Sequence, residues 1–530
     1  MQRTPDRIIR LPLIISVSLA IGMVAGYFYS IRSSVNIDRS SKLFTILQYI
    51  EKFYVDSVSL DSLAEASIPQ ILHNLDPHSS YLPAEEAERE NEPLEGGFSG
   101  IGIQFNMDKD TVVVVKTIPN GPSEKKGILP GDRIIAVNGQ TVAGVNMPSD
   151  SIVKRLKGPR GTAVKVTIKR PRISRPLEFT LIRDNIPLYS IDIAYMVAPS
   201  IGYVKINQFA RNTPEEFINA VNRLKSRGMK KIIVDLRGNG GGYMDAAIRL
   251  ADQFLENGKL IVYTIGRSKK KEDMAFATYE GIAEKEEVAV LIDEYSASAS
   301  EIFAGAIQDN DRGIIIGRRS FGKALVQKPI LLDDNSVIRL TIARYYTPTG
   351  RCIQKPYRKG DEEYYFDLLK RYEKGEFSSA DSIHYNDTTK YYTPAGKVVY
   401  GGGGIMPDIF VPIEKENTNE YFLKIQANGF IYSFSFEYTD KNRSRMQSLK
   451  TVSSIKAWLD SMNVMKEFSA YVSQKGIPLP SSLSPEIKHR IKTQLYAYIA
   501  RNLIDNEGFY PILSETDNTL QTAINYLVKP

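Results

Sequence analysis

Strand-like and helix-like segments alternate between residues 201 and 317, and no other feature constrains the fold as strongly. Strands are predicted at 203–209, 230–236, 260–265, 288–293 and 313–317. Helices are predicted between them at 213–224, 244–255 and 299–309. Apolar periodicity supports each assignment. Alternation of this kind predicts an α/β core in which most strands pair in parallel.

The rest of the chain has different patterns, and 530 residues at roughly 150 per domain suggest three or four folding units. The segment before the core begins with helical periodicity and then becomes a β-rich module, whose turns include Asn120-Gly121 and Asn138-Gly139. After residue 412 the chain is helical again, and Ser484-Pro485 opens one of its helices. We therefore predict a multidomain α+β protein. Its parts are a cytoplasmic flank and membrane anchor (1–35), an N-terminal helical region (36–95), a β module (96–185), the α/β core (186–412) and a C-terminal helical extension (413–530).

The N-terminus predicts a membrane anchor. Arg3, Arg7 and Arg10 precede an apolar stretch over residues 11–29, which is close to the roughly 20 residues that span a bilayer as a helix. A cleaved signal peptide has a shorter apolar core of about 7–15 residues and ends in small residues. We expect an uncleaved single-pass anchor in the cytoplasmic membrane, with the chain after Ser30 on the periplasmic or extracytoplasmic side.

Charge and composition exclude several functional classes. The net charge of +7 is spread thinly, so we expect no nucleic-acid partner. The single cysteine, Cys352, excludes an intramolecular disulfide framework and a cysteine-rich metal site, and we expect neither a metal nor a cofactor. No histidine occurs between His78 and His384, so a Ser/His/Asp triad would lack its base within the core.

Residues 293–301, DEYSASASE, follow a predicted strand and open a predicted helix. A serine at such a junction is exposed on the turn beside the amides of the helix N-terminus. A simpler interpretation is that Ser298 only caps the helix, because Ser298 and Glu301 have capping-box spacing. If the serine is a nucleophile, a lysine made neutral by burial and by nearby cations could replace histidine as its base.

Lys323 is the candidate for that base. It ends the segment GRRSFGK at 317–323, which has the spacing of a phosphate-binding loop. However, Ala324 lacks the hydroxyl that binds magnesium, and residues 324–330 are predicted to be extended rather than helical. A P-loop NTPase is therefore a disfavoured alternative that nucleotide binding would reveal.

A glycine cluster, DLRGNGGG at 235–242, follows another buried strand. It fails the dinucleotide-binding fingerprint because Tyr243 stands where a glycine is required. Consecutive glycines at such a turn allow backbone N–H groups to approach a developing oxyanion. A tight turn that requires positive φ is the alternative explanation.

Together with Asp309 and Gln327, these segments resemble the tail-specific, or C-terminal processing, serine peptidases. The resemblance covers about residues 40–412 and includes LDPHSSYL at 75–82 and GGGGIMPDIFVP at 401–412. It implies a peptidase in which Ser298 is the nucleophile, Lys323 is the general base and Gln327 holds the lysine. It also implies an oxyanion hole made by the Ala299 amide and a glycine amide at Gly241 or Gly242.

The module at 96–185 resembles a PDZ domain, which captures a C-terminal carboxylate with backbone N–H groups while the bound tail adds a strand. A plain turn before a strand is the alternative for the loop concerned. The resemblance implies protein or peptide substrates with free, apolar C-termini, and an apolar last side chain would lie beside Ile101 and Ile103. The implied tail-binding residues are Phe98, Ser99, Gly100, Ile101, Gly102 and Ile103.

We therefore expect a membrane-anchored serine endopeptidase that recognises C-terminal tails and cleaves extracytoplasmic proteins. A catalytically inactive PDZ scaffold that only binds tails is the main alternative, and competent residues at the nucleophile, base and orienting positions argue against it. The extension at 413–530 contains no motif that we can interpret. Gating, homo-oligomerisation and docking of an adaptor protein remain open as its roles.

Overall fold

The computed structural model describes residues 42–529 apart from 109, 172, 279–280, 358–361, 385–386, 415–418 and 481. The predicted membrane anchor lies outside the described residues. Within the residues that are described, no helix is both long and apolar enough to cross a membrane. The chain divides into two compact units, with the boundary between Asn74 and Leu75.

The first unit contains helices α1 (Lys42–Phe53) and α2 (Leu60–His73). Helix α2 begins where the Ser59 side chain accepts the backbone N–H of Ser62, which is a normal N-terminal cap. The predicted helical character of this segment is therefore confirmed.

The second unit begins with a short strand and a helix and continues into the β-rich module. The predicted hairpin turn at Asn138 and Gly139 is present, and both residues have positive φ (48° and 79°), as a two-residue type I′ turn requires. Five strands form an antiparallel sheet in the order β3-β4-β5-β7-β8, β6 pairs with β5, and β2 pairs with β9. The elements are β1 (Ser80–Leu82), α3 (Ala84–Glu95), β2 (Gly97–Gly100), β3 (Ile103–Asp108), β4 (Thr111–Thr117), α4 (Pro122–Lys125), β5 (Arg133–Val137), β6 (Gln140–Thr141), α5 (Ser149–Leu156), β7 (Ala163–Lys169), β8 (Leu177–Ile182) and β9 (Asp184–Pro187).

A six-stranded sheet in the order β10-β11-β12-β15-β16-β21 forms the centre of the core. Only the β10–β11 pair is antiparallel, so the predicted parallel α/β core is confirmed for these strands. Helices α6, α7 and α8 bury their apolar faces with this sheet, as Phe217, Leu250 and Phe303 illustrate. The elements are β10 (Ile191–Ala198), β11 (Ile201–Ile206), α6 (Thr213–Lys225), β12 (Lys231–Asp235), α7 (Met244–Asp252), β15 (Glu287–Ile292), α8 (Ala299–Asp309), β16 (Ile314–Gly317) and β21 (Ile409–Phe410).

The predicted strand at 260–265 does not join the parallel sheet. It is β13 (Leu260–Gly266), and it pairs antiparallel with β14 (Lys271–Phe276) and with β18 (Val337–Tyr346). The same second sheet contains β1 and β17 (Leu325–Leu331), both paired with β18. The strand itself is present as predicted, and it is the exception to the predicted parallel pairing of most strands, because alternation along the chain does not specify which strand will be the neighbour in space. A short connection to β14 favours an antiparallel hairpin.

The C-terminal extension is helical, as predicted, and it contacts two other parts of the unit. Phe436 packs with Val113 and Val115 of the β module, and Arg133 of that module donates to Asp440 at 2.7 Å. The last helix packs on the face of the central sheet opposite α6 to α8. The helices are α10 (Glu420–Ala427), α11 (Phe430–Met446), α12 (Val452–Asp460), α13 (Val464–Gln474), α14 (Pro485–Ile504), α15 (Asn506–Leu513) and α16 (Asn518–Val528); between β18 and the extension lie α9 (Asp367–Glu373) and the hairpin of β19 (Lys390–Tyr392) and β20 (Val398–Tyr400).

Candidate active site

Ser298 lies on the turn that joins β15 to α8, immediately before the first residue of the helix. Its backbone has φ 55° and ψ −112°, a conformation that side-chain-bearing residues rarely adopt. Strain of this kind persists only where surrounding contacts hold the backbone, and it is concentrated at functional sites. Ser298 therefore lies on a strand-to-helix turn, as the sequence predicted; the structure adds that its backbone is strained and that the residue is half-buried.

Two buried side chains hold the backbone of Ser298 next to that of Lys323. One carboxylate oxygen of Glu301 accepts the N–H groups of both residues, at 2.8 Å and 2.9 Å respectively. The Tyr345 hydroxyl lies 3.1 Å from the carbonyl of Ser298 and 2.9 Å from that of Lys323, and can donate to either. Glu301 is fully buried and Tyr345 nearly so. Residues that are 25 positions apart in sequence are thus fixed beside each other.

The contact between Glu301 and the Ser298 N–H is also what the capping-box alternative predicted. The two interpretations are compatible, because the Glu301 side chain binds the backbone N–H of Ser298, and a serine hydroxyl that accepts a capping hydrogen bond keeps its own proton for transfer to a base. Burial raises the pKa of Glu301 to about 7, while hydrogen bonds from Ser320 and from backbone N–H groups oppose the shift.

Lys323 has the environment that a neutral lysine requires. Its side chain is largely enclosed, and burial lowers the pKa of Lys323, with the positive charge of Arg339 acting in the same direction. Its Nζ donates to Oε1 of Gln327 at 3.1 Å, and the Gln327 amide donates in turn to the carbonyl of His78. Lys323, Gln327 and His78 form one chain of hydrogen bonds.

The glycine loop lies directly against Ser298. A Cβ atom on Gly241 would lie 2.9 Å from the Cβ of Ser298 and 3.1 Å from the Ala299 nitrogen, and one on Gly242 would lie 2.2 Å from the carbonyl oxygen of Phe209. Both glycines have positive φ (107° and 140°), so both explanations of the cluster, close approach and special backbone geometry, hold here.

The backbone N–H groups of Gly241 and Gly242 differ in whether they already donate a hydrogen bond within the protein. The Gly241 N–H donates to Oδ1 of Asn239 at 2.9 Å. Among the described residues, the N–H groups of Gly242 and Ala299 donate no hydrogen bond. Gly242 therefore suits the predicted oxyanion-binding role better than Gly241 does.

The segment with phosphate-loop spacing has no helix after it. Residues 318–324 connect β16 to the extended strand β17, so Lys323 is not followed by a helix N-terminus. The prediction that residues 324–330 are extended is confirmed for 325–330.

Sequence profiles match three parts of the chain: peptidase family S41 at residues 200–363, the PDZ domain at 89–169, and a family of unknown function, DUF8443, at 421–505. The carboxy-terminal-processing protease of Bartonella bacilliformis is 38% identical over 314 residues, which are 58% of this chain and 71% of that protein. The carboxy-terminal processing protease CtpA of Bacillus subtilis is 32% identical over 366 residues, or 68% and 74% of the two chains. The chain belongs to the carboxy-terminal-processing proteases. It is a serine-type peptidase with a PDZ domain.

Solved structures include a relative of one part of this protease. The PDZ domain of a carboxy-terminal protease from Vibrio cholerae, solved in complex with a peptide, is 31% identical and covers 17% of this chain and 99% of its own, with a TM-score of 0.16. The photosystem II D1 C-terminal processing protease is 24% identical and covers 71% of this chain and 94% of its own, with a TM-score of 0.35.

The predicted tail-binding residues of this protease form the junction of two strands. Phe98, Ser99 and Gly100 belong to β2 and pair with β9, so the unpaired connection consists of Ile101 and Gly102. Ile103 begins β3, which is an edge strand of the five-stranded sheet. Within the described part of the chain, this strand pairs on one side only, with β4. Ile101 is buried in the PDZ core with Ile152 and Leu156 of α5, and Ile103 packs against that cluster. An extended peptide could add to the other edge of β3.

Sequence reasoning missed the supporting residues of the site. It quoted the segment at 75–82 as part of the family resemblance but gave its residues no role. Asp76 accepts the N–H groups of His78 and Ser79, both at 2.8 Å, and so shapes the turn whose carbonyl receives Gln327. Burial is the main reason that the pKa of His78 is lowered to about 3, so this histidine is neutral near pH 7. Tyr345 had no local signal, because its contacts lie far away in sequence.

Proposed function

We propose that Ser298 attacks the scissile carbonyl while neutral Lys323 takes the proton from its Oγ. The new Oγ–carbon bond gives a tetrahedral oxyanion, which the N–H groups of Ala299 and Gly242 stabilise. Lys323 then returns the proton to the leaving amine as the C–N bond breaks, and an acyl-enzyme remains. Water, activated by the same lysine, hydrolyses the ester and regenerates Ser298. Gln327 keeps the amine of Lys323 in place throughout.

One observation carries this proposal: a single oxygen of the buried Glu301 binds the backbone N–H groups of both Ser298 and Lys323. Fixed geometry of this kind turns attack and proton transfer into steps within one rigid site, which lowers their entropic cost. The lowered pKa of Lys323 supports the second requirement, because it increases the fraction of the lysine that is neutral and able to accept a proton.

The same proposal includes recognition of substrate tails and a location. The amides of the loop from Phe98 to Ile103 capture the terminal carboxylate, and the tail adds as a strand to the free edge of β3. The apolar segment at 11–29 anchors the protease in the cytoplasmic membrane, with the peptidase on the extracytoplasmic side. Its substrates are then extracytoplasmic proteins with apolar C-termini. The extension at 413–530 is the candidate for self-association or adaptor docking.

Cleavage of an unfolded reporter protein, followed by mass spectrometry of the products, tests the catalytic assignment. We expect Ser298→Ala and Lys323→Ala each to abolish cleavage without unfolding the protein. Ser296→Ala and Lys328→Ala are matched controls. The Ser296 hydroxyl donates to the Leu236 carbonyl at 2.9 Å and Lys328 is exposed on β17, so both variants should remain active. An active Ser298→Ala enzyme would refute the proposal.

Tail recognition is tested with the same reporter carrying an apolar C-terminus, an aspartate C-terminus or an amidated C-terminus. The apolar tail should give the fastest cleavage, because it offers both a free carboxylate and an apolar side chain that would pack beside Ile101 and Ile103. Equal rates for all three tails would refute tail capture while leaving the role of Ser298 untouched.

A further inference from the structure

The C-terminal extension reaches the peptidase core through α16, the last helix of the chain. Leu520, Ala523 and Leu527 are buried against the central sheet, where they meet Ile233 and Leu291 among others. Burial of these three apolar side chains on one helix face stabilises the docking of the helix. The helix is therefore held firmly against the core.

Asp517, the residue before this helix, binds Arg237, which immediately precedes the glycines of the loop. Nη1 and Nη2 of Arg237 donate to the two carboxylate oxygens of Asp517 at 2.8 Å and 2.6 Å, a bidentate pair. Both side chains are only 20% exposed, so solvent screens the pair less than it would screen a surface ion pair.

Arg237 is held from the opposite side by the core. Its Nη2 donates to Asp235 at 2.6 Å, and its backbone N–H donates to the same carboxylate at 2.9 Å. Tyr203 donates to Asp235 at 2.7 Å, and Lys205 binds both Asp235 and the carbonyl of Arg237. The position of Arg237 is thus determined jointly by the central sheet and by the extension.

The residues after Arg237 lead to the candidate oxyanion hole within a few positions. Gly238 donates its N–H to Asp293 at 2.9 Å, and Asn239 accepts the N–H of Ala297 at 3.0 Å. The loop then reaches Gly241 and Gly242, which lie beside Ser298 and Phe209 respectively. Arg237 and Gly242 therefore belong to one short loop, whose first side chain is bound by Asp517 and whose last glycines lie beside the nucleophile turn.

We propose that Asp517 is a positioning residue for peptide-bond cleavage: the C-terminal extension sets the glycine loop through the Asp517–Arg237 pair. The inference rests on the proposed roles of Ser298 and Gly242. It assigns the extension a part in catalysis itself, in addition to its packing on the core and on the PDZ domain.

Asp517 also caps α16, since its Oδ1 accepts the N–H of Leu520 at 3.0 Å, and the test must separate that role from the pairing with Arg237. Asparagine and serine cap helices about as well as aspartate does. Asp517→Ser keeps the cap but loses both bonds to Arg237, whereas Asp517→Asn keeps the cap and one acceptor. Glu515→Gln is the matched control, because it breaks the more exposed pair of Glu515 with Lys456 in the same segment.

The full-length protease is assayed on the unfolded reporter for kcat and KM, together with its melting temperature. Removal of one oxyanion-hole donor lowers kcat about 10²–10³-fold, and displacement of the loop should cost less. We expect kcat to fall about tenfold in Asp517→Ser and by a smaller factor in Asp517→Asn. KM should stay within about twofold, and Glu515→Gln should behave as wild type.

A kcat for Asp517→Ser within about twofold of wild type would overturn the inference. The inference would also be overturned if kcat and the melting temperature fell together, and to the same extent, in Asp517→Ser and Glu515→Gln. That result would show a purely structural role. Ser298→Ala, measured in parallel, separates the two proposals. If that variant is active, the proposed function fails; if it is inactive and Asp517→Ser is normal, only this inference fails.

Discussion

Tyr345→Phe removes one hydroxyl from the site without changing the shape of the side chain. The ring of Tyr345 is 1% exposed and belongs to the main hydrophobic core, so phenylalanine fills the same space. What is lost is the donor shared between the carbonyls of Ser298 and Lys323. The substitution therefore tests whether this bridge matters to the fold and to catalysis.

The expected cost follows from counting the donors that remain. The Ser298 carbonyl keeps two, the N–H groups of Glu301 and Ile302, both at 2.9 Å. The Lys323 carbonyl loses the Tyr345 hydroxyl, its only donor among the hydrogen bonds of the described residues. One buried carbonyl without a partner costs about 1–3 kcal/mol. For a domain of about 150–250 residues, each kcal/mol of lost stability lowers the melting temperature by roughly 2–4 °C. The melting temperature should therefore fall by about 2–12 °C.

The same loss loosens Lys323 relative to Ser298, and misplacement of a reacting group costs rate. We expect kcat on the unfolded reporter to fall about tenfold, which corresponds to a rise of about 1.4 kcal/mol in the activation free energy. Tyr346→Phe is the control, because its ring stacks on Tyr263 with 5.2 Å between centroids, whereas the side-chain hydrogen bonds to both carbonyls come from Tyr345. A Tyr345→Phe enzyme with a melting temperature within 1 °C of wild type and kcat within about twofold would refute this account.

Three further predictions concern pH. Burial lowers the pKa of Lys323, so the neutral, active form increases as pH rises through that lowered value; kcat/KM should therefore increase with pH along its acidic limb, and a flat profile would contradict a lysine base. Titration of His78 should add no limb to the pH profile of kcat/KM near pH 6.5, because burial lowers the pKa of His78 to about 3. Gln327→Glu places a carboxylate where Oε1 now lies 3.1 Å from the amine of Lys323, which favours the charged lysine. We expect the acidic limb to move about 1–3 pH units higher in this variant, as a pH series of initial rates would show, and an unmoved limb would mean that Gln327 does not contact the working lysine.

Short-range patterns in the sequence determined the helices, the strands and the candidate catalytic residues. The predicted helix at 299–309 is α8 without adjustment, and the predicted strand at 288–293 matches β15 (Glu287–Ile292) to within one residue at each end, because periodicity, turns and caps act within a few residues. The serine on its turn, the lysine and the glycine cluster were also recognisable, since each motif is contiguous in the chain. The segment at 36–95 contains the predicted helices for the same reason.

Tertiary structure decided which distant residues meet. Nothing near β13 in the sequence indicated that it would leave the parallel sheet for an antiparallel one. Tyr345 and Glu301 join Ser298 to Lys323 only after β15, β16 and β18 have taken their places in two different sheets. The pair of Asp517 with Arg237 spans 280 positions and depends on the docking of α16 against the central sheet. Such contacts follow from packing between whole elements, and short-range patterns in the sequence cannot specify them.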